Sequence, residues 1–234
     1  MSISENIAEV RERIGVAAHR GGRSPDEIAL MAVTKTHPPE RIREAYAAGL
    51  RVFGENRVQE LSGKTVALSD LSATSWHMIG HLQTNKAARA AELFTTVDSV
   101  DSIKLAEKLD AAARDQNKTL DVLIELNVGG EAAKSGAAPD SPALEELLSS
   151  AVRFEALRFR GLMTVPPFTH DPEGARPFFR KLCDLRNKIA ARNLPKINMD
   201  VLSMGMSHDF AVAIEEGSTC VRLGTAIFGQ RAKN

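Results

Sequence analysis

The sequence predicts a single (β/α)8 barrel, organised as one domain over residues 1–234, in which residues 1–20 form an extra N-terminal helix packed on the barrel. Three observations predict it. Short β-branched runs, polar turns and stretches of helical period alternate about eight times along the chain, the rhythm of parallel strands joined by crossover helices. The length of 234 residues is one at which α/β barrels are routinely single domains. The connections between strands and helices are the right size for such a closure; an open doubly wound sheet is the fallback, and the absence of a GxGxxG turn after the first strand weakens a dinucleotide-binding reading of it.

The elements follow in order. Residues 3–19 place Ile3, Ile7, Val10, Ile14 and Ala17 at three- and four-residue steps, one apolar face of a helix. The run Ala29-Leu30-Met31-Ala32-Val33-Thr34-Lys35 is the first strand; a helix over 38–48 follows, closed by Gly49. Residues 51–56 form a short second strand and 75–80 a third. A fourth strand at 93–98 precedes a helix over 102–117, with Ile103, Leu105, Ala106, Leu109 and Ala113 inward. The clearest strand is 120–128; a loop with Lys134, Ser135 and Gly136 leads from it to a helix over 142–152. The sixth strand lies near 159–165 and a long helix spans 174–193. The seventh strand is 199–204, a helix covers 208–216, and 221–224 is the last strand.

Composition narrows the function classes. A formal net charge of +0 leaves no electrostatic footprint for nucleic acid or an anionic membrane. No run is long enough to span a bilayer, and the polar start Met1-Ser2-Ile3-Ser4-Glu5-Asn6 lacks an apolar signal core. Two unclustered cysteines, Cys183 and Cys220, suit a reducing compartment and form neither a disulfide framework nor a metal site. The expected location is the cytoplasm.

In such a barrel, chemistry gathers at the C-terminal strand ends. Those ends carry Lys35, Glu55 with Asn56, Gly80 with His81, Asp98, Asn127, Met163 with Thr164, residues 203–207, and Arg222 to Thr225. Taken alone, Lys35 is better explained by a stem lying along the strand and a head in water. A desolvated amine there would instead attack a carbonyl. The last two loops favour the second account. Gly205 lets backbone approach a ligand, and Ser207 is placed where the next helix begins, so its hydroxyl and the following N–H groups suit an anion. Gly224 and Thr225 end the last strand, and barrels commonly bind phosphate with the loops after strands seven and eight. Arg222 has five fixed donors for a ring nitrogen, with a structural ion pair as the alternative. His77 and His81 lack the convergent ligands a metal needs. An imine-forming lysine, a phosphate cup and a ring-nitrogen donor together specify pyridoxal 5′-phosphate (PLP).

Six segments then resemble one family. They are Ala32-Val33-Thr34-Lys35-Thr36, Phe53-Gly54-Glu55-Asn56, residues 76–86 (Trp76-His77-Met78-Ile79-Gly80-His81-Leu82-Gln83-Thr84-Asn85-Lys86), Gly161-Leu162-Met163, Leu202-Ser203-Met204-Gly205-Met206-Ser207, and Arg222-Leu223-Gly224-Thr225-Ala226-Ile227-Phe228-Gly229. The chain resembles the YggS/PROSC family of pyridoxal phosphate homeostasis proteins from about residue 28 to 229. The resemblance implies a barrel like the N-terminal domain of alanine racemase, in a monomer. It implies PLP held as an internal aldimine, a Schiff base on Lys35, with phosphate contacts from Ser207, Gly224 and Thr225. Arg222 is implied at the ring nitrogen and Asn56 beside the cofactor, with His81, Met163, Ser203 and Gly205 around the pocket. The implied role is intracellular PLP homeostasis and carriage, with apo-PLP enzymes as transient recipients and no robust turnover.

Two enzyme readings compete with it. A PLP-dependent racemase or lyase of the alanine racemase-like fold needs a second acid/base, and the one tyrosine, Tyr46, falls in the first barrel helix. His81 or Cys220 would then have to serve. A lysine-dependent aldolase on a phosphorylated sugar would use the same phosphate cup without colour.

Overall fold

The computed structural model describes residues 1–131 and 133–230; Ala132 and residues 231–234, the end of the expected domain, lie outside the described residues. Eight parallel strands close a barrel in sequence order. They are β1 Ala29–Val33, β2 Val52–Glu55, β3 Ser75–Met78, β4 Thr96–Val100, β5 Leu120–Glu125, β6 Leu157–Met163, β7 Ile197–Met206 and β8 Cys220–Leu223. β8 closes on β1 with Ala29 opposite Cys220 and Met31 opposite Arg222. The helices are α1 Ile3–Arg20, α2 Pro39–Ala47, α3 Val58–Lys64, α4 Ala87–Leu93, α5 Ile103–Asp115, α6 Pro142–Ser150, α7 Arg176–Ala191, α8 Phe210–Glu215 and α9 Thr225–Phe228. Among the described residues no helix is long and apolar enough to cross a membrane.

The extra helix has a structural reason. Among the described residues the helix that follows β8 is the four-residue α9, too short to cover the seam between β8 and β1. α1 fills that slot in the outer ring, packing against α8, α9 and α2. Its buried stripe is Ile3, Ile7, Val10, Ile14, Ala17 and Ala18, and Asn6 Nδ2 donates to Ile227 O at 2.8 Å. A capping box starts it: Ser2 Oγ accepts from Glu5 N (3.2 Å) and Ser2 N donates to Glu5 Oε2 (2.7 Å).

Three sequence expectations change. The fourth strand begins three residues late, because Leu93 ends α4 and Phe94 caps it. Asp98 therefore lies inside the barrel rather than at a strand end, with no exposed surface. The seventh strand runs through Met206, so Ser203 and Gly205 are strand residues. Ser207 does not open a helix: α8 starts at Phe210 with Asp209 as its N-cap.

Candidate functional site

Lys35 follows β1 at the C-terminal mouth of the barrel. Thr34 ties that end to β2. Its N–H donates to Gly54 O (2.9 Å), and its Oγ1 lies 3.2 Å from Gly54 O and 2.7 Å from Glu55 Oε1. Lys64 Nζ donates to Glu55 Oε1 (2.6 Å) and to Thr34 O (3.0 Å). Burial pushes the Glu55 carboxyl above its ordinary range, against the hydrogen bonds from Lys64 and Thr34.

Lys35 lines a cavity of about 350 Å³. Asn56 from the end of β2, Ser207 after β7, Arg222 from β8, and Gly224 and Thr225 at the start of α9 line the same cavity. Apolar side chains of Val33, Ile79 and Val165 also line it. Gly80 must be a glycine here: a Cβ would stand 2.4 Å from Asn56 O. Its absence lets the end of β3 press on the Asn56 backbone.

Arg222 is 4 % exposed. Its terminal nitrogens donate to neutral acceptors, Nη1 to Ser203 Oγ and Nη2 to Thr164 O, both at 2.7 Å. Among the described residues no carboxylate forms a salt bridge with it. Ser203 Oγ in turn lies 3.5 Å from Asp98 Oδ2, and Asp98 Oδ1 meets His77 Nδ1 at 2.8 Å. Burial lowers the pKa of Arg222, opposed chiefly by Cys220 and Asp98. A guanidinium nonetheless stays charged. Ser207 Oγ accepts from Ala226 N at 3.2 Å, which leaves its O–H proton free to donate.

The alanine racemase N-terminal domain family matches residues 2–232. The chain is 46 % identical over 231 residues to the pyridoxal phosphate homeostasis protein of Aquifex aeolicus, covering 99 % of each. It is 40 % identical over 235 residues to that of Escherichia coli K12, covering 98 % of this chain and 97 % of the other. The chain belongs to the pyridoxal phosphate homeostasis protein family. PipY of Synechococcus elongatus PCC7942, solved with PLP bound, superposes with a TM-score of 0.84 at 35 % identity, covering 97 % of this chain and 100 % of that one. Alanine racemase from Streptomyces coelicolor shares the fold alone, with a TM-score of 0.69 at 21 % identity over 94 % of this chain and 57 % of its own.

For a member of this family, the residues expected around the pocket divide into two groups. Lys35, Asn56, Ser207, Arg222, Gly224 and Thr225 share the cavity. The others stand back from it. Ser203 is fully buried and holds Arg222. Met163 is fully buried in β6, opposite Ser203. His81, with its side chain 59 % exposed, lines a neighbouring groove of about 610 Å³ that also touches Asn56, and faces Asp101. Gly205 has φ +95°, and a Cβ there would stand 2.6 Å from Ala213 Cβ. The close approach it permits is to α8, not to a ligand.

Sequence reasoning passed over His37 and His208, which also line the cavity, as does Met206 from the 203–207 strand end. Their signal was adjacency: each lies within two residues of Lys35 or Ser207. Among the described residues no group of three or more His, Cys, Asp or Glu could hold a metal.

Proposed function

We infer that this chain binds PLP in the Lys35 cavity and serves PLP homeostasis, holding and carrying the cofactor rather than turning over a substrate. The observation that carries the inference is that Lys35 and the buried Arg222 line one cavity with the Ser207 and Thr225 hydroxyls. The donor set fits the three recognisable parts of PLP. Lys35 Nζ would hold the aldehyde carbon, as a Schiff base. Ser207 and Thr225, with the backbone at Gly224, suit the phosphate. Arg222 uses two of its five N–H groups on Ser203 and Thr164, so donors remain for the pyridine nitrogen. Asn56, which lines the same cavity, would lie beside the ring.

Bound PLP would supply an electron sink for carbanions, weakened where a guanidinium keeps the ring nitrogen unprotonated. This chain's own groups add a second limit. Cys220 is buried, and burial pushes its thiol up to about 12, far from the range of a general acid/base at neutral pH. Tyr46 bonds Ser72 O at 3.1 Å, and Arg51 lies 3.8 Å over its ring. Both partners precede strands β2 and β3, so Tyr46 is at the opposite end of the barrel from Lys35. The relatives' name and the PLP-bound PipY support the same reading. Its finer parts are a cytoplasmic, monomeric, single-domain protein with apo-PLP enzymes as transient recipients.

Titrating the purified protein with PLP tests it. The expected result is a saturable visible absorbance band, trapped on Lys35 by borohydride reduction and absent in Lys35→Ala. A protein with no band and no saturable uptake overturns the reading.

A further inference from the structure

We propose that α3 sets the pose of Lys35, with Glu60 as its positioning residue. The proposal rests on the role given to Lys35 above. Residues 34–37 form a turn closed by His37 N donating to Thr34 O at 3.1 Å. Lys35 is its second residue and Thr36, with φ +64°, its third. A positive φ at the third position alone belongs to a type II turn, which favours glycine or asparagine there. A β-branched threonine is a poor occupant of that conformation. Left to its own preferences the turn would take type I, with the peptide between Lys35 and Thr36 flipped.

Glu60 opposes that flip. Its Oε2 accepts from Thr36 N at 2.9 Å, the N–H of the very peptide in question. In the flipped turn this carboxylate would face the Lys35 carbonyl oxygen instead. One helical turn further along α3, Lys64 Nζ donates to Thr34 O at 3.0 Å and to Glu55 Oε1. The helix thus grips the peptides on both sides of Lys35. Its backbone is fixed, and only side-chain torsions remain for the amine to search. Strain that the surrounding structure holds in place at a reactive group is a sign of pre-organisation.

The test uses Glu60→Ala, Glu60→Gln, and Thr36→Gly alone and combined with Glu60→Ala. Two readouts are followed: the pH profile of Lys35 acylation by acetic anhydride in the PLP-free protein, and the rate of PLP release from the loaded protein. Glu60→Ala is expected to shift the acylation profile and to raise release roughly fivefold or more, since small misplacements of a reacting group are costly. Glu60→Gln keeps an acceptor oxygen for Thr36 N–H and should stay within about twofold of the parent. Thr36→Gly, which accepts the turn without strain, should restore most of the loss in the Glu60→Ala background. Melting of each PLP-free variant checks the fold, and Glu60→Ser carries the same expectation should Glu60→Ala not fold. An acylation profile and a release rate for Glu60→Ala matching the parent would overturn the proposal, as would no rescue by Thr36→Gly. If the parent takes up no PLP, the functional reading fails, while the acylation profile still decides the role of Glu60.

Discussion

At the scale of single residues, burial sets the behaviour of Arg222 at the site and of Glu125 away from it. Arg222 lines the cavity with two neutral acceptors already engaged. Replacing it with glutamine keeps a donor for Thr164 O or Ser203 but removes the charge-assisted bond offered to the ring nitrogen. A hydrogen bond to a charged group is worth about 1.5–3 kcal/mol, so Arg222→Gln should weaken PLP affinity roughly tenfold or more and change the absorbance spectrum. Equilibrium titration followed by spectroscopy measures both; an unchanged affinity and spectrum would remove Arg222 from the ring nitrogen. Glu125, 5 % exposed, accepts from Ser135 Oγ at 2.8 Å, while its Oε2 is buried without a partner. Burial pushes its carboxyl above the ordinary range, with Ser135 opposing. A raised carboxyl pKa in the folded state adds stability at low pH, and that contribution is lost as pH rises through the folded value. Glu125→Gln has no such loss. The melting temperature of Glu125→Gln minus that of the parent should therefore increase between about pH 4 and 8. A difference that stays flat or falls over that range contradicts the assignment.

At the scale of elements, α1 covers the seam between β8 and β1. Among the described residues β8 is followed by the short α9, and without α1 the outer face of the β8–β1 seam would be more exposed to water. Val221 and Leu223 of β8 join Ile3, Ile7, Val10 and Ile14 in one apolar cluster. That packing makes the N-terminal helix part of the fold rather than an appendage. Ile7 is 2 % exposed and Val16, on the same helix, 48 % exposed. Truncating a buried isoleucine to alanine costs about 2–5 kcal/mol, and a surface change away from special features stays within about 0.5 kcal/mol. Urea unfolding should show Ile7→Ala losing an amount in the first range and Val16→Ala almost none. Equal midpoints for the two variants would mean that α1 contributes little to the stability of the barrel.

On the scale of the whole molecule, what was legible from sequence was local and periodic. The strand–helix alternation and the stripe of α1 depend on spacings of a few residues, so a linear reading finds them. The barrel interior defeated it at Asp98, a polar group inside a strand that is satisfied by His77 on the neighbouring β3 and by Ser203 from β7 across the barrel. The bulge at Gly205 carried β7 onward where a helix start was expected at Ser207. The Lys35 turn was hidden because a threonine at its third position gives no sign of a type II conformation. The candidate site was half legible for a related reason: strand ends name the residues at the mouth, but only three dimensions turn His81 into the neighbouring groove. That same arrangement yields the last prediction. Racemisation requires proton exchange on both faces of the bound substrate, hence two groups. Around Lys35 the two candidates put forward as the second group are displaced or mismatched: His81 faces the groove, and Cys220 is buried with its thiol raised to about 12. PLP-loaded protein incubated with L-alanine and other L-amino acids should therefore lose optical activity no faster than free PLP does under the same conditions. Polarimetry or chiral chromatography reads this directly. Turnover far above the free-cofactor rate, abolished by Lys35→Ala, would make the chain an enzyme and send the search for its second acid/base to His37 and His208, the histidines that line the cavity.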